Sequence, residues 1–288
     1  MPVFGNRGIA PGRGMNLRWI IAAVIAVGAI ISFYSKTSVN PVTGEKQRVA
    51  LSPDQEKALG LEAAPQMARQ MGGAVDPRRD RDAALVAEVG AKIVRLSDAG
   101  RSNYADNFNF QLLDDRQTVN AFALPGGQIF ITRALFDRLE TEGQLAGVLG
   151  HEAGHVVGRH SAEQMAKGQL GQMLVTAVAV GASGEERGQF AMVAAQMANQ
   201  MTQLHYGRDD EVQADTLGLK YMAQAGYHPR GMLGVMKVLA DASKGSRQPE
   251  FLASHPHPES RLETIDKYLN DNKAQLDQAN LSDGQPLR

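Results

Sequence analysis

His151-Glu152-Ala153-Gly154-His155 is the stretch on which the reading of this chain turns. On a helix, residues four apart lie about 40° apart around the axis, so the two imidazoles face a common point. Histidines at that spacing hold one zinc ion, and Glu152, displaced by about 100°, reaches a water at the ion as a general base. Leu145, Val148 and Leu149 precede the motif at helical spacing and supply its apolar face. With seven histidines and no cysteine in 288 residues, a metal must be held by His, Asp and Glu. The missing cysteines also exclude a disulfide framework and a thiol nucleophile.

Two histidines need a third protein ligand, and two patterns compete for it. The first places a glycine three and a histidine six positions after the second histidine. Gly158 is present, but position 161 is Ser, and His160, one residue short, points about 140° away from His155 on a continuing helix. The second uses a glutamate from a later helix. Glu211 lies in Tyr206-Gly-Arg-Asp-Asp-Glu-Val-Gln-Ala-Asp215, with Asp215 one turn beyond it. That spacing lets Glu211 reach the ion while Asp215 accepts the N–H of a ligating histidine. Asp209 and Asp210 read as a solvated face.

Upstream of the motif the period changes. Phe108–Leu113, Thr118–Leu124 and Gly127–Thr132 alternate as strands, the last two joined at Pro125-Gly126. Ser52-Pro53-Asp54-Gln55 starts a helix running to about Gln70, and a second runs from about Arg79 to Leu96. From residue 133 onward the pattern is helical to about Lys273. The fold class is therefore α+β, mostly helical, with a small antiparallel sheet beside the zinc helix. Thirty Lys and Arg balance 31 Asp and Glu, without the basic excess of a nucleic-acid binder.

At the front, residues 1–18 carry three arginines and no acid, and Trp19–Tyr34 carries no charge. We expect a basic segment 1–18, a transmembrane signal anchor over 19–35 and a polar linker over 36–52. A protease domain over 53–273 and a polar tail over 274–288 follow. Sixteen helical residues cover about 24 Å, short of the ~30 Å hydrocarbon core, with Trp19, Tyr34, Arg18 and Lys36 placed to anchor the ends. A cleaved signal peptide is the alternative.

Beyond these readings, His151-Glu-x-x-His155 followed by Glu211-x-x-Ala214-Asp215 resembles the zinc metallopeptidase family of HtpX, the CAAX prenyl proteases, the mitochondrial Oma protease and the periplasmic BepA and LoiP proteases. Asn120-Ala-Phe-Ala-Leu-Pro-Gly-Gly127 and Ser254-His-Pro-His-Pro-Glu-Ser-Arg261 match the same family, and the likeness covers roughly residues 53–270. The resemblance implies a gluzincin-type domain with one zinc on His151, His155 and Glu211, and Glu152 as catalytic base. It implies a single-anchor layout of the LoiP, BepA or Oma kind, in the bacterial inner membrane with the catalytic domain facing the periplasm. The implied task is endopeptidase cleavage of misfolded or mistargeted envelope proteins. An assembly factor or chaperone in which cleavage is secondary is the alternative.

Asn120, Ala121 and Phe122 read as a sheet edge that pairs with substrate backbone. His255, held among Pro256 and Pro258, either donates to the oxyanion or occupies the metal as a latch. Arg261 either pairs with an acid or contacts substrate. His160, His205, His228 and His257 read as structural or surface residues. Met173–Ala182, within the Met-rich 165–201 stretch, is apolar but too short to span a membrane.

Overall fold

The computed structural model describes residues 17–35, 37–182, 206–244, 249–256 and 258–288. Helix α1 (Leu17–Ser35) leads into a two-stranded antiparallel hairpin, β1 (Thr37–Val39) and β2 (Lys46–Arg48). Asn40 makes the turn: its side-chain oxygen accepts from the Val42 and Thr43 amides, and its carbonyl accepts from Gly44. The stretch read as a linker is thus a folded element. Helix α2 (Pro53–Gln70) opens with the expected capping box, Ser52 and Gln55 satisfying each other's backbone N–H. Helix α3 (Arg81–Leu96) is capped by Asp80 and turns Ala83, Val86, Val89 and Ile93 into the core.

Strands β3 (Asn109–Leu113), β4 (Ala121–Ala123) and β5 (Gln128–Thr132) form one sheet in the order β3-β5-β4. The sheet is mixed rather than purely antiparallel: β4 pairs antiparallel with β5, but β3 runs parallel to it. The β4–β5 hairpin places β4 on one side of β5, so β3 takes the other edge. Gly126 (φ 82°) and Gly127 (φ 111°) make that hairpin, and a Cβ on Gly126 would stand 2.4 Å from the Lys57 Cα of α2. β5 is buried along its whole length. Phe130 packs toward Ala64 and Ala68 of α2, whereas Ile129 and Ile131 join the main core with α3, each fully buried aliphatic side chain contributing about 1.5–3 kcal/mol.

After the short α4 (Arg133–Phe136), α5 (Glu142–Gly158) crosses the middle of the domain with every residue from Gly143 to Gly158 buried. Arg159, in the left-handed region at φ 59°, ends it, and α6 (His160–Ala182) departs in a new direction. Helices α7 (Arg208–Gln224), α8 (Gly231–Ala242), α9 (Glu250–Ser254), α10 (Pro258–Asp271) and α11 (Lys273–Gln278) complete the chain. Small residues bring α7 onto α5: a Cβ on Gly154 would meet the Ala214 carbonyl oxygen at 2.7 Å, and one on Gly218 would meet the His151 nitrogen at 2.9 Å.

The expected anchor falls in α1, yet among the described residues no helix is long and apolar enough to cross a membrane. The uncharged run is too short for the hydrocarbon core. α1 instead packs along α6, with Ala29, Ser32, Phe33, Ala166, Gln169 and Leu170 around a shared cleft. Met173–Ala182 is the far half of α6, and residues 183–205 lie outside the described ones. The tail docks rather than trailing: Asp283 and Gln285 accept from the Gly143 and Glu142 amides.

Candidate metal centre

Helix α5 presents His151 and His155 from consecutive turns, α7 brings Glu211 across the close glycine contact, and His255 comes from the end of α9. All four are 0–1 % exposed. Their donor atoms converge: His151 Nε2 lies 3.0 Å from His155 Nε2 and 3.3 Å from His255 Nδ1. Glu211 Oε1 lies 3.0 Å from His255 Nδ1 and 3.3 Å from His155 Nε2. Ligands at about 2.1 Å from a tetrahedral ion are separated by roughly 3.4 Å, so these spacings suit zinc.

Proton placement makes the same point. His151 Nδ1 faces Asp215 Oδ1 at 2.8 Å and donates to it, which leaves Nε2 with a bare lone pair. His155 Nδ1 lies 2.8 Å from His160 Nδ1, and Nε2 is bare when His155 is the donor of that pair. Two lone pairs and a carboxylate therefore point at one spot. Glu211 Oε2 has no hydrogen-bond partner although it is buried. A buried carboxylate is paired or coordinates a metal: here Arg261 stands 3.5 Å from Oε2, while Oε1 faces the histidine cage.

Glu152 is wholly buried, both carboxylate oxygens lack a hydrogen-bond partner, and Oε1 lies 3.5 Å from His255 Nε2. Burial pushes its pKa up, opposed by the charges of His255 and His151. Asp215 goes the other way: burial alone would raise it, but Arg261 and His151 hold it below the usual carboxylate range.

Arg261, read either as the partner of an acid or as a substrate contact, is fully buried behind the site. Its Nε and Nη2 donate to both oxygens of Asp215 at 2.8 and 2.7 Å, and Nη1 lies 3.5 Å from Glu211 Oε2. Of its two readings, acid pairing is the one the geometry matches. Asn120 and Ala121 are buried and Phe122 half-buried, on the outer strand of the sheet that packs beside α5.

Three neighbours escaped the sequence reading. Tyr206 stacks on His155, ring centroids 3.9 Å apart, and its hydroxyl lies 2.9 Å from Ser161 Oγ. Phe251 stacks on His255 at 4.4 Å, so that imidazole is held between two aromatic rings. Neither has a local signal beyond proximity in sequence to Glu211 or His255. The third is His160, which is buried against His155 because the left-handed Arg159 bends the chain back; no motif announces a left-handed arginine. His228 lies on the surface accepting from the Arg230 amide, and His205 and His257 lie outside the described residues.

Among known proteins, the profile of peptidase family M48 matches residues 81–269. A beta-barrel assembly-enhancing protease of Yersinia pestis is 30% identical over 233 residues, covering 77% of this chain and 45% of that protein. The mitochondrial metalloendopeptidase OMA1 of Schizosaccharomyces pombe is 28% identical over 259 residues, 89% of this chain and 73% of that one. The protein of the first kind from Escherichia coli is 28% identical over 258 residues. This chain spans about half the length of the beta-barrel assembly-enhancing proteases it matches. The profile match over most of the chain establishes that it belongs to peptidase family M48, and its convergent, buried His/His/Glu donor set fits one zinc ion.

Proposed function

We propose that this chain is a latent endopeptidase of the cell envelope that cleaves extended segments of misfolded or mistargeted proteins. In this reading His151, His155 and Glu211 hold the zinc, Asp215 fixes the ring of His151, and Arg261 holds Asp215 and Glu211 in place. Bound zinc supplies Lewis acidity toward the scissile carbonyl and lowers the pKa of water. Glu152 takes the proton of the attacking water and gives it to the leaving nitrogen.

The single observation that carries the latency is the position of His255 Nδ1 among the other three donors. Three protein ligands plus water make a catalytic site, whereas four close it. His255 therefore shields the position substrate and water need, and Glu152 rests beside its other nitrogen. A substrate that lifts the α9–α10 connection opens the site.

For recognition, the register of β4 is informative. Asn120 accepts from Thr132 and Leu124 donates to Gln128, so by antiparallel alternation Ala121 and Ala123 direct their backbone groups away from β5. An extended peptide adds to that edge through its main chain, which tolerates varied sequences.

Placement in the envelope rests on α1, where Trp19, Val24, Val27, Ile31 and Tyr34 are each at least half exposed. An apolar face of this kind is suited to lying against a lipid surface rather than spanning it, and in this reading the catalytic domain sits on the periplasmic side of the inner membrane. Protease digestion of spheroplasts tests this: residues 53–288 should be accessible, and protection until the inner membrane is lysed refutes it.

Cleavage of casein by the purified protein tests the latch. Glu152→Gln should abolish cleavage, and Glu211→Ala should lose the zinc. His255→Ala should raise the basal rate. A fall of about 10²–10³ would instead make His255 an oxyanion donor, and no change defeats both roles.

A further inference from the structure

The side of His155 turned away from the metal is occupied. Its Nδ1 lies 2.8 Å from His160 Nδ1, His160 Nε2 lies 2.8 Å from Gln213 Oε1, and the Gln213 amide donates to Glu45 on the turn of the β1–β2 hairpin. From this arrangement we propose that His160 is the positioning residue for His155, fixing its tautomer and ring angle so that Nε2 faces the zinc.

The proton assignments along the line are forced. With Nε2 of His155 reserved for the metal, its neutral ring carries the proton on Nδ1 and donates it to His160 Nδ1. His160 then carries its own proton on Nε2 and donates to the Gln213 carbonyl oxygen. Gln213 is left with its NH₂ facing the carboxylate of Glu45, which only accepts. Every donor meets an acceptor, and no second arrangement of the three middle groups does so while leaving His155 Nε2 bare.

The cradle is built for this ring. A Cβ on Gly158 would stand 2.4 Å from His160 Nε2 and 2.8 Å from Gln213 Oε1, so position 158 must be bare for the line to form. Arg159 supplies the bend. On His151 the corresponding position is filled by the carboxylate of Asp215; His155 has a neutral imidazole there. The two ligating histidines are thus held by partners of different charge.

The inference rests on His155 being a ligand, so zinc affinity is measured for wild type and His155→Ala first, by competition with a chelator on the full chain. If wild type binds no zinc, or His155→Ala binds it as tightly, the ligand assignment itself fails. Given that assignment, three variants separate positioning from packing. His160→Asn keeps an acceptor where Nδ1 stood, whereas His160→Gln keeps a polar atom near Nε2 and more of the volume. We expect His160→Ala and His160→Gln to bind zinc about 10–100-fold more weakly and His160→Asn to remain near wild type. The visible spectrum of the cobalt-substituted protein should change in the first two only. Equal affinity in all three overturns the proposal. So does retention by Gln with loss in Asn, the order that packing dictates. Should these variants misfold, Gln213→Met at the half-buried outer end should still weaken zinc several-fold, and unchanged affinity there overturns it.

Discussion

The two ends of helix α5 are held in different ways. At its N-terminal end the amides of Glu142 and Gly143 donate to the main-chain carbonyls of Gln285 and Asp283, beside an ordinary Thr141 cap. At its C-terminal end the work falls to side chains. Asn40 donates to the Val157 carbonyl at 2.6 Å and Gln47 to that of Gly158, while Arg159 reaches Glu56, Leu51 and Ser38. The free amides and free carbonyls of a helix must be satisfied somewhere. Main-chain partners do that for almost any sequence, but side-chain partners do it for one. The specific end is the one that carries His155, whose ring must not drift if a donor cage is to persist.

If that contrast is right, substitutions at the two ends differ in cost, as read by urea unfolding at fixed free zinc because metal binding adds to stability. The largest loss should come from Arg159→Met. Among the described residues it leaves the buried Glu56 carboxylate with Tyr104 as its remaining partner, and breaking such a pair costs about 3–5 kcal/mol. Asn40→Ala should follow at about 1–3 kcal/mol, since the Val157 carbonyl loses its donor and the hairpin turn its acceptor. At the opposite end Thr141→Ala should cost only about 1 kcal/mol, the ordinary loss of a cap. Asp283→Ala should lie within ~0.5 kcal/mol of wild type: the carbonyl that Gly143 uses remains, and the exposed ion pair with Arg230 contributes little. A loss at Asp283 as large as that at Asn40 would erase the distinction.

How much of this could be read beforehand depends on how far apart the partners lie. The His151/His155 pair and the Glu211/Asp215 pair are each one helical turn, so spacing alone exposed them. The Ser52 capping box and the β4–β5 turn expected at Pro125-Gly126 are local too, and both form, the turn extending one residue further to Gly127. The stretch 36–52 looked like a linker because its turn chemistry is local, whereas the bonds that give it a role reach residues more than a hundred positions away. His160 was set aside on the assumption of a continuing helix. Its return to His155 follows from one backbone angle at Arg159, a residue type with no preference for that region. The parallel pairing of β3 with β5 was illegible for a related reason: strand patterns report which face is buried, not which edge is chosen. Arg261 had two readings, and only the burial of Asp215 in three dimensions separates them.

The clamp at each end of α5 also sets an order of assembly. Asn40 and Val157 are 117 residues apart, and the tail that meets Gly143 is made after every donor of the cage. A ribosome therefore delivers the hairpin first, the ligands next and the second clamp afterwards. Contacts of such range close slowly, because the chain between them must be ordered before they repay it. Until then the histidines sit on a helix with loose ends, and a metal meeting them finds no fixed geometry. Zinc capture thus becomes one of the closing events of folding, and the protein is expected to accept its metal as readily after synthesis as during it.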